Sequence, residues 1–163
     1  MNEAEKTKHA LKTMSHAVMV IINDYVKVED YVFKFSLRRV LPIPGFFEKI
    51  DYEKCYLTLG RLIEQLSFHE SFLEKHMSNF EDEALRNYAE TMGDYCIALK
   101  SAITLFRAVC YKLYNKGRGS LFYRYPTYNR DLKNYKNAIN NYKMSGEKLQ
   151  RIYEMIFQLD KAV

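Results

Sequence analysis

Residues that interrupt helices are scarce in this chain. Among 163 residues there are 6 glycines and 3 prolines, and Pro42 and Pro44 fall together in one short segment. Because glycine and proline mark most turns, this scarcity predicts few and long secondary-structure elements. The chain also lacks an uncharged apolar run of about 18 residues, the length that predicts a membrane-spanning helix. Its length fits one domain, which we assign to residues 1–163.

Cysteines are equally few. Cys55, Cys96 and Cys110 form neither an even set nor a CxxC pair, so neither a disulfide framework nor a zinc ribbon is indicated. They are typical of reduced, buried thiols in an intracellular protein. The first six residues are charged and lack the apolar stretch of a secretory signal. We therefore expect a cytoplasmic protein, with peripheral association with a membrane left open.

Motifs of catalysis and metal binding are missing as well. Di-metal sites of helical bundles use Glu-x-x-His, and none of the four histidines has a glutamate three positions before it. No H-E-x-x-H, P-loop or G-x-G-x-x-G motif occurs. The pairs His9–His16 and His69–His76 are spaced seven residues apart, which separates the rings by about 10 Å along a helix. We predict no enzymatic activity, no cofactor and no metal.

What the sequence does contain is a strong helical periodicity. Apolar residues recur at steps of three and four in four segments, which predict helices over about 2–39, 51–79, 81–116 and 127–163. Asn2 and Thr127 are candidate N-caps, residues 41–45 break the first helix, and Gly117 is the candidate C-terminal cap of the third. The fold class is therefore all-α, an antiparallel up-down bundle of four long helices.

The apolar stripes define the expected core. Gly146 lies on the fourth stripe, which predicts a close approach of a neighbouring helix. The expected core residues are Leu11, Met14, Val18, Ile21, Tyr25, Val28, Val32 and Phe35; Tyr52, Cys55, Leu59, Leu62, Leu66, Leu73 and Phe80; Leu85, Tyr88, Met92, Tyr95, Leu99, Ala102, Phe106, Val109 and Leu113; and Leu132, Tyr135, Ile139, Tyr142, Leu149, Tyr153 and Ile156.

One junction leaves two architectures open. Residues 77–83 contain neither glycine nor proline, and the apolar stripe changes phase there. A turn capped by Ser78 or Asn79 would give the four-helix bundle. A stutter would instead give one rod from 51 to 116, about 100 Å long, in a three-helix coiled coil.

Charge is distributed unevenly along the chain. Residues 1–99 hold 12 Lys and Arg against 16 Asp and Glu, whereas residues 100–163 hold 13 against 4. Such asymmetry favours an anionic partner, namely a phospholipid surface, an acidic protein or, less favoured, a nucleic acid. The alternative is that the acidic part complements the basic part within one fold.

The basic residues are concentrated around the third connection. There we predict that Lys116, Arg118, Arg124 and Arg130 make ionic contacts with the partner, while Phe122 and Tyr125 provide apolar anchoring and Lys112, Lys133 and Lys136 extend the charge. The alternative is that the aromatic side chains, Tyr123 included, fold back over the end of the bundle and the charges are merely solvated.

Residues 85–114, LRNYAETMGDYCIALKSAITLFRAVCYKLY, together with 57–76, resemble the middle of BAR domains of the sorting-nexin type. The resemblance covers about a third of the chain. It implies a BAR-like coiled coil, the rod alternative above, with residues 116–130 as a tip that touches anionic membrane. It also implies a homo- or heterodimer and a role in endosomal protein transport. The last helix is shorter than the family's, and a lipid-binding PX module is missing.

Overall fold

Four antiparallel helices make up the part of the chain that the structure, a computed structural model, describes: residues 3–38, 50–77 and 80–157. The helices are α1 (Glu3–Arg38), α2 (Tyr52–His76), α3 (Glu83–Gly117) and α4 (Tyr125–Phe157). The all-α bundle is thus confirmed. The predicted cap Asn2, the predicted break at 41–45 and the side chain of Phe35 lie outside the described residues.

The helices α2 and α3 form a hairpin. Lys100 of α3 pairs with Glu70 of α2, and Arg107 Nε donates a hydrogen bond of 3.1 Å to the carbonyl of Tyr56. The later residue of α3 contacts the earlier residue of α2, so the two helices are antiparallel. The rod from 51 to 116 was a wrong alternative, because α2 ends at His76 and α3 begins again at Glu83.

Aspartates cap the N-termini of α2 and α3, and for α3 we had predicted Ser78 or Asn79 instead. The Asp82 carboxylate accepts hydrogen bonds from the amides of Ala84 (2.8 Å) and Leu85 (3.2 Å), so the N-cap is not Ser78 or Asn79. Asp51 caps α2 in the same way. These carboxylates satisfy amides that have no partner within the helix and face the positive end of its dipole.

The start of α4 differs from the prediction by two residues. The helix begins at Tyr125, before Pro126, and the amide of Tyr128 donates to the carbonyl of Arg124 at 3.0 Å. Proline is compatible with a first helical turn, because the amide that it lacks would have no helical partner there. Thr127 therefore lies inside the helix and is not its cap.

The C-terminus of α3 is closed by Gly119 and not by Gly117. Gly119 has φ of 73°. Its amide donates to the carbonyl of Lys116 at 3.1 Å, and the amide of Ser120 donates to that of Asn115 at 3.0 Å. This pair of hydrogen bonds is the Schellman motif, which needs a left-handed residue after the cap. Gly117 remains the last helical residue.

The central helix is α3, which packs against the other three helices. All members of its predicted stripe are buried except Leu113, which is half-buried. A second buried stripe, of which we predicted only the two cysteines as buried, lies one position further along the chain from members of the first: Ala89, Cys96, Ile103 and Cys110. A helix with neighbours on several sides needs a wider apolar face than one stripe provides.

The interface between α1 and α4 is wider than the others. No Cα atom of α1 lies within 8 Å of one of α4 in the described part of the chain. Aromatic side chains span the gap: the ring centres of Tyr25 and Tyr142 are 6.1 Å apart, and so are those of Phe33 and Tyr135. The width of this interface leaves a small pocket, which Ser15 of α1 and Gly146 of α4 help to line.

Candidate functional site

The candidate site is the basic region, residues 112–136. It comprises the end of α3, the connector 118–124 and the start of α4. It contains seven Lys and Arg side chains and one acidic side chain, Asp131. The Schellman motif at Gly119 ends α3 at the start of the connector, and the hydrogen bond from Tyr128 to Arg124 begins α4 at its end. The connector is therefore short and held at both ends.

One part of the connector folds inward. Tyr123 is 4% exposed, and its hydroxyl donates to Asp131 Oδ2 at 2.7 Å. Lys112 Nζ lies 2.7 Å from the same oxygen and 5.5 Å from the centre of the Tyr123 ring. Burial raises the pKa of Asp131, but the hydrogen bonds from Lys112 and Tyr123 outweigh it, so that the pKa lies below its usual value. Lys112, predicted as a partner contact, is thus engaged in an internal ion pair.

Other side chains of the basic region project into solvent. Phe122 is 79% exposed and Tyr125 is 74% exposed, and Leu121 beside them is exposed as well. The guanidinium of Arg124 lies over the ring of Phe122, 4.6 Å from its centre. The alternative in which the aromatic side chains fold back over the end of the bundle is therefore confirmed for Tyr123 alone. The two predicted anchors, Phe122 and Tyr125, are exposed.

The remaining predicted cations lie on the end of α3, on the connector and on the first turns of α4. Among the described residues, none of them forms an ion pair within 4 Å, and all are exposed: Lys116, Arg118, Arg124, Arg130, Lys133 and Lys136. Arg118 donates to the hydroxyl of Tyr114, and Glu53 attracts its charge without forming an ion pair. The described acidic residues of 1–99 therefore form no ion pair with these six cations.

Comparison with protein families, with curated proteins and with solved structures gives no significant match. These comparisons therefore supply no function by analogy. What the site can do must follow from its own side chains.

Chemistry elsewhere in the described part of the chain is limited. No three His, Cys, Asp or Glu side chains cluster there closely enough to hold a metal ion. The cysteines are buried and free, as predicted, and burial raises the pKa of Cys55 to about 11 and that of Cys96 to about 12. At neutral pH these thiols stay protonated, which makes them poor nucleophiles. None of the described helices has the long apolar run that crossing a bilayer requires.

The sequence analysis missed a polar network in the core. The hydroxyl of Tyr135 donates to Glu29 Oε1 at 2.8 Å and is also hydrogen-bonded to the hydroxyl of Tyr25. Burial raises the pKa of both tyrosines, so the hydroxyls keep their protons. A signal was available, since Glu29 follows Tyr25 by four residues and so lies on the same helix face.

Proposed function

We propose that the protein docks on an anionic phospholipid surface through the basic region, as a non-enzymatic helical scaffold. One observation carries the proposal: exposed Phe122 of the connector and exposed Tyr125 at the start of α4 lie in a region whose six exposed cations form no ion pair within the described residues. An aromatic side chain exposed to this extent contributes nothing to the core. It gains free energy only when a partner covers it.

The two kinds of contact support each other energetically. A Lys or Arg near an anionic bilayer contributes about 1 kcal/mol, and removing a phenylalanine side chain from water contributes about 1.5–3 kcal/mol. Six cations and two aromatic anchors therefore supply about 9–12 kcal/mol against an immobilisation cost of about 4–15 kcal/mol, which corresponds to weak and reversible binding. The anchors are short, which corresponds to a protein that lies on the membrane surface.

The placement of Arg124 fits a lipid surface. One face of Phe122 is covered by the Arg124 guanidinium, 4.6 Å from the ring centre. In a headgroup layer the same pair would place an apolar ring below a phosphate-binding cation, because arginine binds phosphate by paired hydrogen bonds.

Liposome co-sedimentation tests the proposal. The protein should pellet with vesicles of phosphatidylcholine containing about 30% phosphatidylserine at low salt, and should stay in solution with phosphatidylcholine alone. Binding should weaken at higher salt, since exposed charges are screened. Failure of the wild-type protein to pellet with the anionic vesicles would disprove the proposal.

Matched variants locate the contact. Phe122→Ser combined with Tyr125→Ser should reduce binding at least tenfold, because two apolar anchors are removed. Phe68→Ser is the control: Phe68 is 69% exposed but lies on α2, outside the basic region. Equal loss in both variants would show that the basic region is not the contact.

Competition distinguishes the other partners. An RNA oligonucleotide that binds more tightly than the vesicles, and whose binding survives the double serine substitution, would favour the nucleic-acid hypothesis. Binding only to an acidic protein would favour an adaptor. Dimerisation and endosomal transport, which the BAR resemblance implies, stay hypotheses, and the proposal does not need them.

A further inference from the structure

A serine lies in the middle of the basic region. Ser120 is the only serine among residues 112–136, and it belongs to the connector between α3 and α4. Residues 116–122 are all exposed, so another protein can reach this stretch from solvent. Exposed loop tips with small and polar residues are preferred sites of attack by proteases, because such segments open readily for an enzyme. The Ser120 hydroxyl is therefore accessible to a modifying enzyme.

The present contacts of this hydroxyl suit a neutral donor and not an anion. Ser120 Oγ donates to the carbonyl oxygen of Asn115 at 3.1 Å and lies 3.2 Å from Asn115 Oδ1. The Ser120 amide donates to the same carbonyl oxygen at 3.0 Å. These oxygens are acceptors at the negative end of the α3 dipole. A phosphate on Oγ would be repelled by them and would turn outward, towards the charged surface of the connector.

Cations flank Ser120 on both sides in the sequence. Lys116 and Arg118 precede it, and Arg124 follows it. All three side chains are exposed and form no ion pair within the described part of the chain. Arginine binds phosphate by paired hydrogen bonds, so a phosphate at Ser120 would find partners on this surface. The same positive segment matches a protein kinase whose substrate groove is acidic, since kinases select substrates by charge pattern.

We propose that Ser120 is a phosphorylation site, at which a protein kinase that prefers basic segments switches membrane docking off. The kinase transfers the γ-phosphoryl group of ATP to Ser120 Oγ: the new O–P bond forms, the bond between the γ-phosphorus and ADP breaks, and the hydroxyl proton passes to a base of the kinase. The phosphate adds a charge of about −1.5 to −2 at neutral pH.

The inference rests on the proposed docking, because it concerns regulation of the same surface. Ser120 lies two residues before the anchor Phe122. A phosphate there repels an anionic bilayer and also occupies cations that would otherwise contact lipid headgroups. Release of a basic segment from anionic lipid by phosphorylation is an electrostatic switch.

Co-sedimentation with vesicles of phosphatidylcholine containing about 30% phosphatidylserine measures the effect of charge. Ser120→Glu should weaken binding about fivefold, because one negative charge offsets one cation near the bilayer. Ser120→Gln has a similar shape without the charge and should bind as tightly as wild-type protein. Ser101→Glu is the control for position: Ser101 is exposed on α3, about 24 Å before the end of the helix, where the same charge is screened from the basic region.

Phosphorylation of the full chain tests the site itself. After treatment with the catalytic domain of protein kinase C, ATP and Mg²⁺, mass spectrometry should find phosphate on Ser120. The phosphorylated protein should bind the same vesicles about tenfold to thirtyfold more weakly than untreated protein. Ser120→Ala, treated in the same way, should keep its binding.

The outcomes separate this inference from docking itself. If wild-type protein does not pellet with the vesicles, docking is disproved and the inference falls with it. If wild-type protein pellets and the phosphorylated protein or Ser120→Glu pellets equally well, docking stands and only the inference is overturned. The inference is also overturned if the kinase leaves Ser120 unmodified, or if Ser120→Gln or Ser101→Glu loses as much binding as Ser120→Glu.

Discussion

Removal of the Tyr135 hydroxyl is the sharpest test of how the wide α1–α4 interface is held. Because Tyr135 uses its single proton on Glu29, Tyr25 must donate to Tyr135. The three groups therefore form a directed chain from Tyr25 to the carboxylate. Tyr135→Phe breaks it in the middle while keeping the ring that stacks on Phe106 at 5.0 Å.

The expected cost follows from what is left behind. Tyr135→Phe removes a hydrogen bond to a charged acceptor, which contributes about 1.5–3 kcal/mol, and leaves the fully buried Tyr25 hydroxyl without a partner. Glu29 is half-buried and can recover part of its hydration. We expect a loss of about 2–3 kcal/mol, a large fraction of the 5–15 kcal/mol that stabilises a typical domain.

Tyr25→Phe is the matched comparison. It removes the end of the chain, keeps the bond from Tyr135 to Glu29 and leaves no buried donor unpaired, so it should cost only about 1 kcal/mol. The double variant should be no less stable than Tyr135→Phe alone, since the unpaired hydroxyl of Tyr25 is then gone.

Urea unfolding followed by circular dichroism at 222 nm measures all three variants. The transition midpoint should fall while its slope stays constant, because the exposed surface does not change. Equal losses for the two single variants, or strictly additive losses in the double variant, would refute the directed chain. In that case the tyrosines would act as apolar rings alone.

Three further predictions concern individual side chains. Asp131→Asn should cost about 1 kcal/mol at neutral pH, as its ion pair with Lys112 is partly exposed. Since the pKa of Asp131 is lowered in the folded protein, its contribution to the stability of wild-type protein should persist above about pH 4 and vanish as pH falls through that folded pKa. Urea midpoints measured over a pH series test this. If the midpoints of wild-type protein and Asp131→Asn fell equally steeply in acid, the expectation would be wrong. Burial lowers the pKa of His69, so wild-type stability should fall as pH drops below about 6.5, and His69→Gln should flatten that dependence in the same series. Gly119→Ala should lower stability by about 1 kcal/mol through its left-handed backbone, whereas Gly117→Ala should be neutral or stabilising in a thermal melt; equal effects would argue against the Schellman motif.

Helix positions could be predicted because each depends on a local pattern. The stripe from Leu11 to Val32 is buried as expected, except at the half-buried Val28. Boundaries were less certain, since Asp82 and Pro126 are each compatible with more than one start. The hairpin of α2 and α3 could not be predicted from the sequence, because a phase change in the apolar stripe is compatible with a turn and with a stutter.

Contacts between helices were harder to predict than the helices themselves. The second stripe of α3, which includes Cys96 and Cys110, has a regular spacing, but its burial depends on how many helices surround α3. The hydroxyls of Tyr88 and Tyr135 look alike in sequence, since both tyrosines occupy core positions. Their difference comes from which residue of α1 faces them: Ser15 near one and Glu29 at the other.

The connector shows why amino-acid composition alone cannot predict which side chains of a surface region are buried and which are exposed. Tyr123 and its neighbours Phe122 and Arg124 are adjacent in sequence, yet Tyr123 turns inward to Asp131 and the other two face solvent. Asp131 decides this, because a lone acidic group in a basic region attracts both Lys112 and the tyrosine hydroxyl. With that one carboxylate engaged inside, no acidic side chain of the region remains to neutralise the exposed cations. The internal ion pair thus anchors the connector and leaves its outer surface positive, which is the condition that docking on an anionic surface requires.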